Sequence, residues 1–425
     1  MIPEAVPDGR PTDDALSRVH REEHSRLLAT LVRRFGDLDL AEDAAQEAME
    51  SALRTWPAQG VPRSPLAWLT TVATRSALDR VRRDATSARR LAELRVREGV
   101  RAAVPADEAA LSAGDLPDER LAMLMGCCHP AIAPADRIAL MLRFVGSLNT
   151  EEVAQSLLLP VPTLQARITR VKKRITTHRI SLTVPTDPVE RARRLPLVLT
   201  SISLIFTEGY AATSGDTSIR RELTAEAIRL ARLTHRLLPV PAEPQGLLAL
   251  LLLTEARSPA RDDAAGIPVP LEEQDRSRWD TELIAEGLAL TQLAAARADA
   301  GRFTIQAAIA AVHAESSRFE DTDWAQIVAL YDLLLARGDD PVVRMNRAIA
   351  VGRAQTPAEG LALLEQLGEE PRLRRHHPFH VALALFHEEL GRMEEAVAAW
   401  HRALDLVGST AERRFIERRL ARHGE

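Results

Sequence analysis

One stretch constrains this chain more than any other: Ser147 to Arg174, SLNTEEVAQSLLLPVPTLQARITRVKKR, where two helical patterns meet across a proline-bounded break. Thr150 followed by Glu152 and Val153 reads as a capped helix start. Leu157 to Leu159, with Pro160 and Pro162, reads as a tight turn, and a second helix is predicted to about Ile175. On that helix Leu164, Ile168, Val171 and Ile175 recur at helical spacing as one apolar stripe. At about 100° per residue, Ala166, Thr169, Arg170 and Lys173 project from the opposite side, with Gln165 at its edge. A short helix, a tight turn and a basic second helix form the pattern of a helix-turn-helix that reads DNA. Any amphipathic helix pair can imitate it, so its surroundings must decide.

Charge distribution says more than total charge. The 425 residues, enough for two to four domains, carry a formal net charge of only −5. Yet Val161 to Ile180 holds six Lys/Arg and no Asp/Glu, Arg75 to Glu98 holds eight Arg against four acids, and Asp37 to Glu50 holds six acids and no base. Lys172 and Lys173 are the only lysines. Adjacent Cys127 and Cys128 cannot staple a fold, which suits a reducing cytoplasm. No apolar run reaches transmembrane length, and MIPEAVPDGR has no signal-peptide hydrophobic segment, so a cytoplasmic protein with no membrane partner is expected.

In chain order, Thr12-Asp13-Asp14 can cap a first helix to about Phe35. A second is predicted from Leu40 to Trp56, with Ala41, Ala45, Ala48, Ala52 and Trp56 inward. Asp43, Glu47, Glu50 and Arg54 face outward, with Gln46 beside them. Taken alone, such an acidic face reads as solvated surface. Pro57 to Ser64 is a predicted loop, and Ser64-Pro65 starts a third helix. That helix keeps Leu66, Leu69, Ala73 and Ala77 on one side and Trp68, Thr71, Arg75, Asp79 and Arg82 on the other. An aromatic among arginines suits single-stranded nucleic acid, because bases stack on the ring while guanidinium groups hold phosphates. Packing of Trp68 under a neighbouring helix is the plainer alternative. Arg80, Arg82 and Arg83 add a dense cluster that needs anions or solvent. Gly99 to Asp118 reads as a flexible linker. A second helical unit follows from Glu119 to about His178, including a helix from Pro134 whose Ile138, Met141, Leu142 and Val145 face inward.

Together these segments resemble the extracytoplasmic-function sigma factors, promoter-recognising subunits of bacterial RNA polymerase. AEDAAQEAMESALRTW (Ala41 to Trp56) resembles the family's polymerase-binding helix, and SPLAWLTTVATRSALDRVRR (Ser64 to Arg83) the helix that melts and reads the −10 element. NTEEVAQSLLLPVPTLQARITRVKKRI (Asn149 to Ile175) resembles the −35-reading helix-turn-helix. The resemblance covers roughly the first 180 residues and implies roles. Asp43, Gln46 and Glu47 would contact the beta-prime clamp of the polymerase core. Trp68, Arg75, Asp79, Arg80, Arg82 and Arg83 would lie near the opened −10 strand, with Pro57 to Ser64 capturing a flipped base. Thr163, Gln165, Ala166, Thr169, Arg170 and Lys173 would serve −35 recognition, while Arg167, Lys172 and Arg174 hold phosphates. The chain departs from many relatives at Ser76, where Asn is common, and at Leu158-Leu159, where a Gly is common.

Beyond a second linker, Ser181 to Pro188, an ordinary member of that family would end. Here an all-helical remainder is predicted: Leu223 to Leu238, Pro244 to Arg257, Ser277 to Ala300, Phe303 to Ser316, Trp324 to Ala336, then three or four more. GRMEEAVAAWHRALDL (Gly391 to Leu406) matches the second helix of a tetratricopeptide repeat, and TPAEGLALLEQL (Thr356 to Leu367) repeats it about 36 residues earlier. Gly301-Arg302-Phe303 followed by AAIAAVHAE reads as a diverged copy. Such repeats stack into solenoids that bind partners. The whole is thus expected to be all-α: residues 12–98 for polymerase and −10 DNA, a linker at 99–118, a helix-turn-helix domain at 119–180, a linker at 181–189, and a tetratricopeptide-like regulatory domain at 190–425.

An enzymatic reading finds little support. No Walker loop, nucleotide fingerprint or nucleophile elbow occurs, and no cofactor is implied. His376, His377 and His380, and Cys127, Cys128 and His129, lack spacings that specify zinc; buried helix cysteines are the plain reading. Trp279, Trp324 and Trp400 read as solenoid core. Glu208-Gly209-Tyr210 and Asp216 could line a small pocket. The competing reading of the chain is a stand-alone DNA-binding regulator or scaffold with a protein-binding repeat domain.

Overall fold

Alanine spacing governs how the amino-terminal helices meet. The computed structural model describes residues 10–96, 118–146, 148–157, 159–178, 180, 182–215 and 217–422, and side chains are described from residue 23 except at 84–96. The described residues are all-α, with eighteen helices and two isolated β-bridges. Helices α1 (Arg10–Phe35), α2 (Leu38–Gln59) and α3 (Pro65–Val96) pack mutually. Ala41, Ala45, Ala48 and Ala52 of α2 and Ala73 and Ala77 of α3 are fully buried, so the two backbones approach closely. Leu27, Leu28 and Leu31 of α1 fill the third side, and Trp56 closes the stripe.

Asp37 caps α2, its carboxylate accepting from the Leu40 amide at 3.0 Å. The helix outlasts its predicted end at Trp56. Pro57 sits in the last turn, where it costs one backbone hydrogen bond, and the helix stops at Gly60, whose φ of +79° ends the turn. The expected loop at Pro57 to Ser64 is therefore helical up to Gln59.

Next come α4 (Glu119–Cys127), α5 (Pro134–Phe144), α6 (Thr150–Ser156), α7 (Val161–His178) and α8 (Pro188–Tyr210). Contacts divide the chain into two compact units, one comprising 1–148 with 165–198 and the other 149–164 with 199–425. In the first unit, α4 packs on α1 and α5. Glu119 bonds the Thr30 hydroxyl and pairs with Arg33 at 3.2 Å. Arg194, on the first half of α8, is nearly buried; it pairs with Glu190 at 2.9 Å and donates to the Met125 carbonyl at 2.9 Å. A Cβ on Gly126 would lie 2.3 Å from the Leu182 carbonyl carbon, so only glycine lets those backbones touch.

In the second unit, the α6 start differs in detail from the sequence reading. Asn149, not Thr150, is the cap: its side chain accepts from the Glu152 amide at 2.9 Å, and Glu152 returns the bond to the Asn149 amide at 2.8 Å. Of the predicted turn pair, Leu159 is described and Leu158 lies outside the described residues, as does the Gly99 to Asp118 linker apart from Asp118, which caps α4.

The second unit continues with α9 (Arg221–Leu237), α10 (Ala242–Glu255), α11 (Thr281–Ala295), α12 (Arg302–Glu315), α13 (Trp324–Arg337), α14 (Pro341–Ala354), α15 (Pro357–Gln366), α16 (His377–Glu389), α17 (Met393–Leu406) and α18 (Thr410–Ala421). The buried, leucine-rich α10 packs against α9, α11 and α12, and from α12 onward each helix packs on the next. Three features differ from the sequence expectation. Helix α8 was not foreseen, because Pro196 interrupts the pattern. Helix α11 begins at Thr281 rather than Ser277, because the Asp280 carboxylate caps it by accepting from Glu282 and Leu283. Five helices, not three or four, follow α13. Helices α14 and α15 cross at Gly352 and Gly360, where a Cβ on Gly352 would lie 2.5 Å from the Phe386 ring. Trp279 and Trp400 are buried, and Trp324 packs edge-on to His313 and Phe319. The ends of this unit meet: Thr410 donates to the Gly215 carbonyl at 3.0 Å, and Arg418 pairs with Asp263 at 3.0 Å.

Candidate nucleic-acid interface

The alanine stripe of α2 turns its opposite face outward, and α3 lies along it. Gln46 and Glu47 are exposed, and Asp43 is half-exposed. Asp43 pairs with Arg80 of α3 at 2.6 Å, Glu47 accepts from the Ser76 hydroxyl, and Gln46 donates to Glu50 at 3.3 Å. Residues expected to serve different partners, Asp43 and Arg80, are thus brought together. Both side chains keep more than 40% of their exposure, so the pair is worth at most about 1 kcal/mol and can be exchanged for another partner.

Trp68 takes a middle position between the two sequence readings. It is half-buried, its ring edge-on to the buried Trp56 with centroids 5.5 Å apart. Part of the ring is covered by the helix bundle and part stays in solvent. Arg75, Asp79, Arg82 and Arg83 are exposed beyond it; Arg82 pairs with Asp79 at 3.7 Å, and Arg83 donates to the Asp79 carbonyl at 3.3 Å. A half-open aromatic ring flanked by guanidinium groups on one helix suits stacking of a base and binding of its phosphates.

On α7 the apolar stripe is buried at Leu164, Val171 and Ile175, with Ile168 partly covered. Thr163, Gln165, Ala166, Thr169, Arg170, Lys173 and Arg174 are exposed, and Arg167 is half-buried. Lys172 behaves differently from its neighbours. Its ammonium lies 2.5 Å from Asp39 and 2.6 Å from Glu42, both on α2. Burial pulls its pKa down, but the two carboxylates outweigh that and hold it above the usual lysine range. Asp39, Thr169, Lys172, Lys173, Thr176 and Thr177 line the groove between these helices. The sequence reading missed Asp39 and Glu42. The acidic run was visible, but its partner lies 130 residues away.

The remaining candidates resolve as structure. Cys127 and Cys128 are buried free thiols; burial drives the first far up in pKa and the second to about 12, and Cys128 contacts the Met141 sulfur at 3.5 Å. His377 bonds Glu412 at 2.7 Å, and no cluster able to hold a metal occurs among the described residues. Glu208 is buried, accepting from the Thr213 amide at 3.0 Å and hydroxyl at 2.9 Å, while Asp216 lies outside the described residues. Among the described residues, no helix is long and apolar enough to cross a membrane.

Comparison with known proteins now gives these faces a class. Residues 20–86 match sigma-70 region 2, which makes the three-helix bundle sigma-factor-like, with a role in RNA polymerase binding and transcription initiation. Residues 194–297 match a family of unknown function, DUF6596. Over nearly its whole length the chain is similar to the uncharacterized protein R00370 of Rhizobium meliloti (strain 1021), 41% identical over 400 residues, covering 93% of this chain and 92% of that protein. The chain belongs to the same family as that relative, and within it residues 20–86 are a sigma-70 region 2. No solved structure gives a significant match.

Proposed function

We propose that the protein is an alternative sigma factor of the extracytoplasmic-function type that carries RNA polymerase core to specific promoters. The observation that carries the reading is the α2–α3 pair within sigma-70 region 2: an exposed acidic face beside a half-open Trp68 and an arginine row. Asp43, Gln46 and Glu47 would meet the beta-prime clamp. The Arg80–Asp43 pair supports this, because a half-exposed pair gives up little when a polymerase residue replaces Arg80. Trp68, Arg75, Asp79, Arg80, Arg82 and Arg83 would hold the opened −10 strand, with Gly60 to Ser64 as the capturing loop. Gln165, Ala166, Thr169, Arg170 and Lys173 would read −35 base edges, with Thr163 beside them and Arg167, Lys172 and Arg174 on or near phosphates. The second unit would be a tetratricopeptide-like domain that regulates this activity in cis and offers a protein-binding surface, a reading supported by the successive packing of α14 to α18.

The test is reconstitution. Purified chain plus polymerase core should initiate at a defined promoter, and Arg170→Ala should change the preference at one −35 base. Failure to retain the chain on immobilised polymerase core would refute the reading.

A further inference from the structure

The helix-turn-helix is not supported by its own residues alone. Helix α6 and the first turn of α7 form one compact unit with residues 199–425. The fastening point is Glu152, whose side chain is only 8% exposed and whose two oxygens do different work. Oε2 accepts from the Asn149 amide and completes the α6 capping box; Oε1 accepts from Arg220 at 2.8 Å and from the Ser214 hydroxyl at 3.4 Å. Arg220 and Ser214 lie in the segment of unknown function, 194–297.

Arg220 is itself held in place. Its amide donates to the Gly209 carbonyl at 2.7 Å, its Nε bonds Glu222 at 3.1 Å, and its side chain is 15% exposed. The loop leading to it is tied at several points. Thr213 bonds Glu208, Ala212 bonds the Ser218 carbonyl at 2.9 Å, Ser218 bonds Asp262 at 2.5 Å, and Gly215 accepts from Thr410. A Cβ on Gly408 would lie 2.5 Å from the Thr213 carbonyl oxygen and 3.7 Å from Gln155 of α6, so the loop is gripped between α6 and the start of α18. A guanidinium fixed this firmly sets the position of its carboxylate partner and does not merely follow it.

We infer that Arg220 is a positioning residue for promoter reading: through Glu152 it sets the placement of α6 and of the first turn of α7, where Thr163 belongs to the −35 reading. The segment of unknown function would then be a built-in support for the DNA reader. This rests on the reading of α7 as the −35 helix. Removing Arg220 leaves a buried carboxylate without its cation, which is costlier than removing both partners. Glu152→Gln retains a capping-box acceptor but sets an amide against the guanidinium. The two changes together should therefore be milder than Arg220→Gln alone.

The experiment uses the full chain bound to polymerase core and a pool of duplexes with a randomised segment, alongside amide exchange of the free chain at residues 150–157. Wild type should enrich a defined −35 sequence. Arg220→Gln should keep its affinity for polymerase core and its salt-sensitive binding to unselected DNA, but lose enrichment by about tenfold or more and expose 150–157 to faster exchange. Arg220→Lys should recover most of the loss, and the double variant with Glu152→Gln should exchange more slowly than Arg220→Gln alone. Wild-type enrichment and unchanged exchange in Arg220→Gln would overturn the inference. If wild type itself enriches nothing, the −35 reading fails, and the exchange data alone then decide whether Arg220 supports α6.

Discussion

Two ion pairs in this molecule look alike on paper and differ in kind. Arg80–Asp43, on the face of the first unit proposed to meet polymerase and DNA, joins side chains 42% and 46% exposed at 2.6 Å. Arg220–Glu152, in the second unit, joins side chains 15% and 8% exposed at 2.8 Å. The first is screened and exchangeable, contributing at most about 1 kcal/mol. Breaking the second strands a charge away from water and costs several-fold more. Distance alone would rank them the other way; burial decides. The contrast extends to the units. On the α2–α3 face of the first unit charged groups stay half-open, whereas around Arg220 in the second unit polar groups hold a loop and a helix start in place.

If that division is right, the largest stability effects belong to the second unit. Trp400 is fully buried, stacks edge-on to Phe415 and donates to Glu388 at 2.6 Å. Trp400→Ala should cost about 3–5 kcal/mol in a denaturant melt. A loss below about 1 kcal/mol would mean that this unit is loosely packed.

The next effect is pH-dependent. Burial raises Glu208 from 4.5 to about 7, with the Thr213 hydrogen bonds opposing the shift and the Glu152 charge adding to it. The folded state therefore binds the proton more tightly than the unfolded chain, and this contribution favours folding below about pH 4.5. It is lost as pH rises through about 7. Glu208→Gln removes the dependence, so the stability of the variant relative to wild type should grow by up to about 3 kcal/mol between pH 4.5 and 8. Parallel stability curves would show that Glu208 stays ionised in the fold.

Smaller still are changes on the first unit's open face. Asp43→Asn should shift stability by less than about 1 kcal/mol while lowering affinity for polymerase core. A large stability loss with unchanged polymerase affinity would make Asp43 a structural residue and erase the contrast with Glu152. The smallest expected signal is none at all. Cys127 and Cys128, buried with thiol pKa values pushed up, should resist a thiol-alkylating reagent at pH 8 in the native chain and react after denaturation.

How much of this was legible in the sequence varied by the kind of signal. The inner stripe of α2 was readable residue by residue, because alanines at helical spacing leave one way to bury a face. The helices of the second unit were visible from their periodicity, but α8 was hidden by Pro196 within it, and the start of α11 by the Asp280 cap. The contacts that matter most to the site were not legible. Lys172 finds Glu42 across 130 residues and Asp39 slightly farther along the chain, and Glu152 finds Arg220 across 68. In sequence Glu152 was one acid in a capped helix start. Only the fold reveals that its second oxygen has a distant partner.

Under the proposed function, this chain opens promoter DNA only as part of polymerase. Permanganate footprinting of a promoter incubated with chain, polymerase core or both tests it directly. Reactive, unpaired thymines are expected around the −10 element only when both are present, and should be lost with Trp68→Ala. Protection of DNA by the chain alone, with no core-dependent opening, would contradict it and leave a stand-alone DNA-binding regulator in its place.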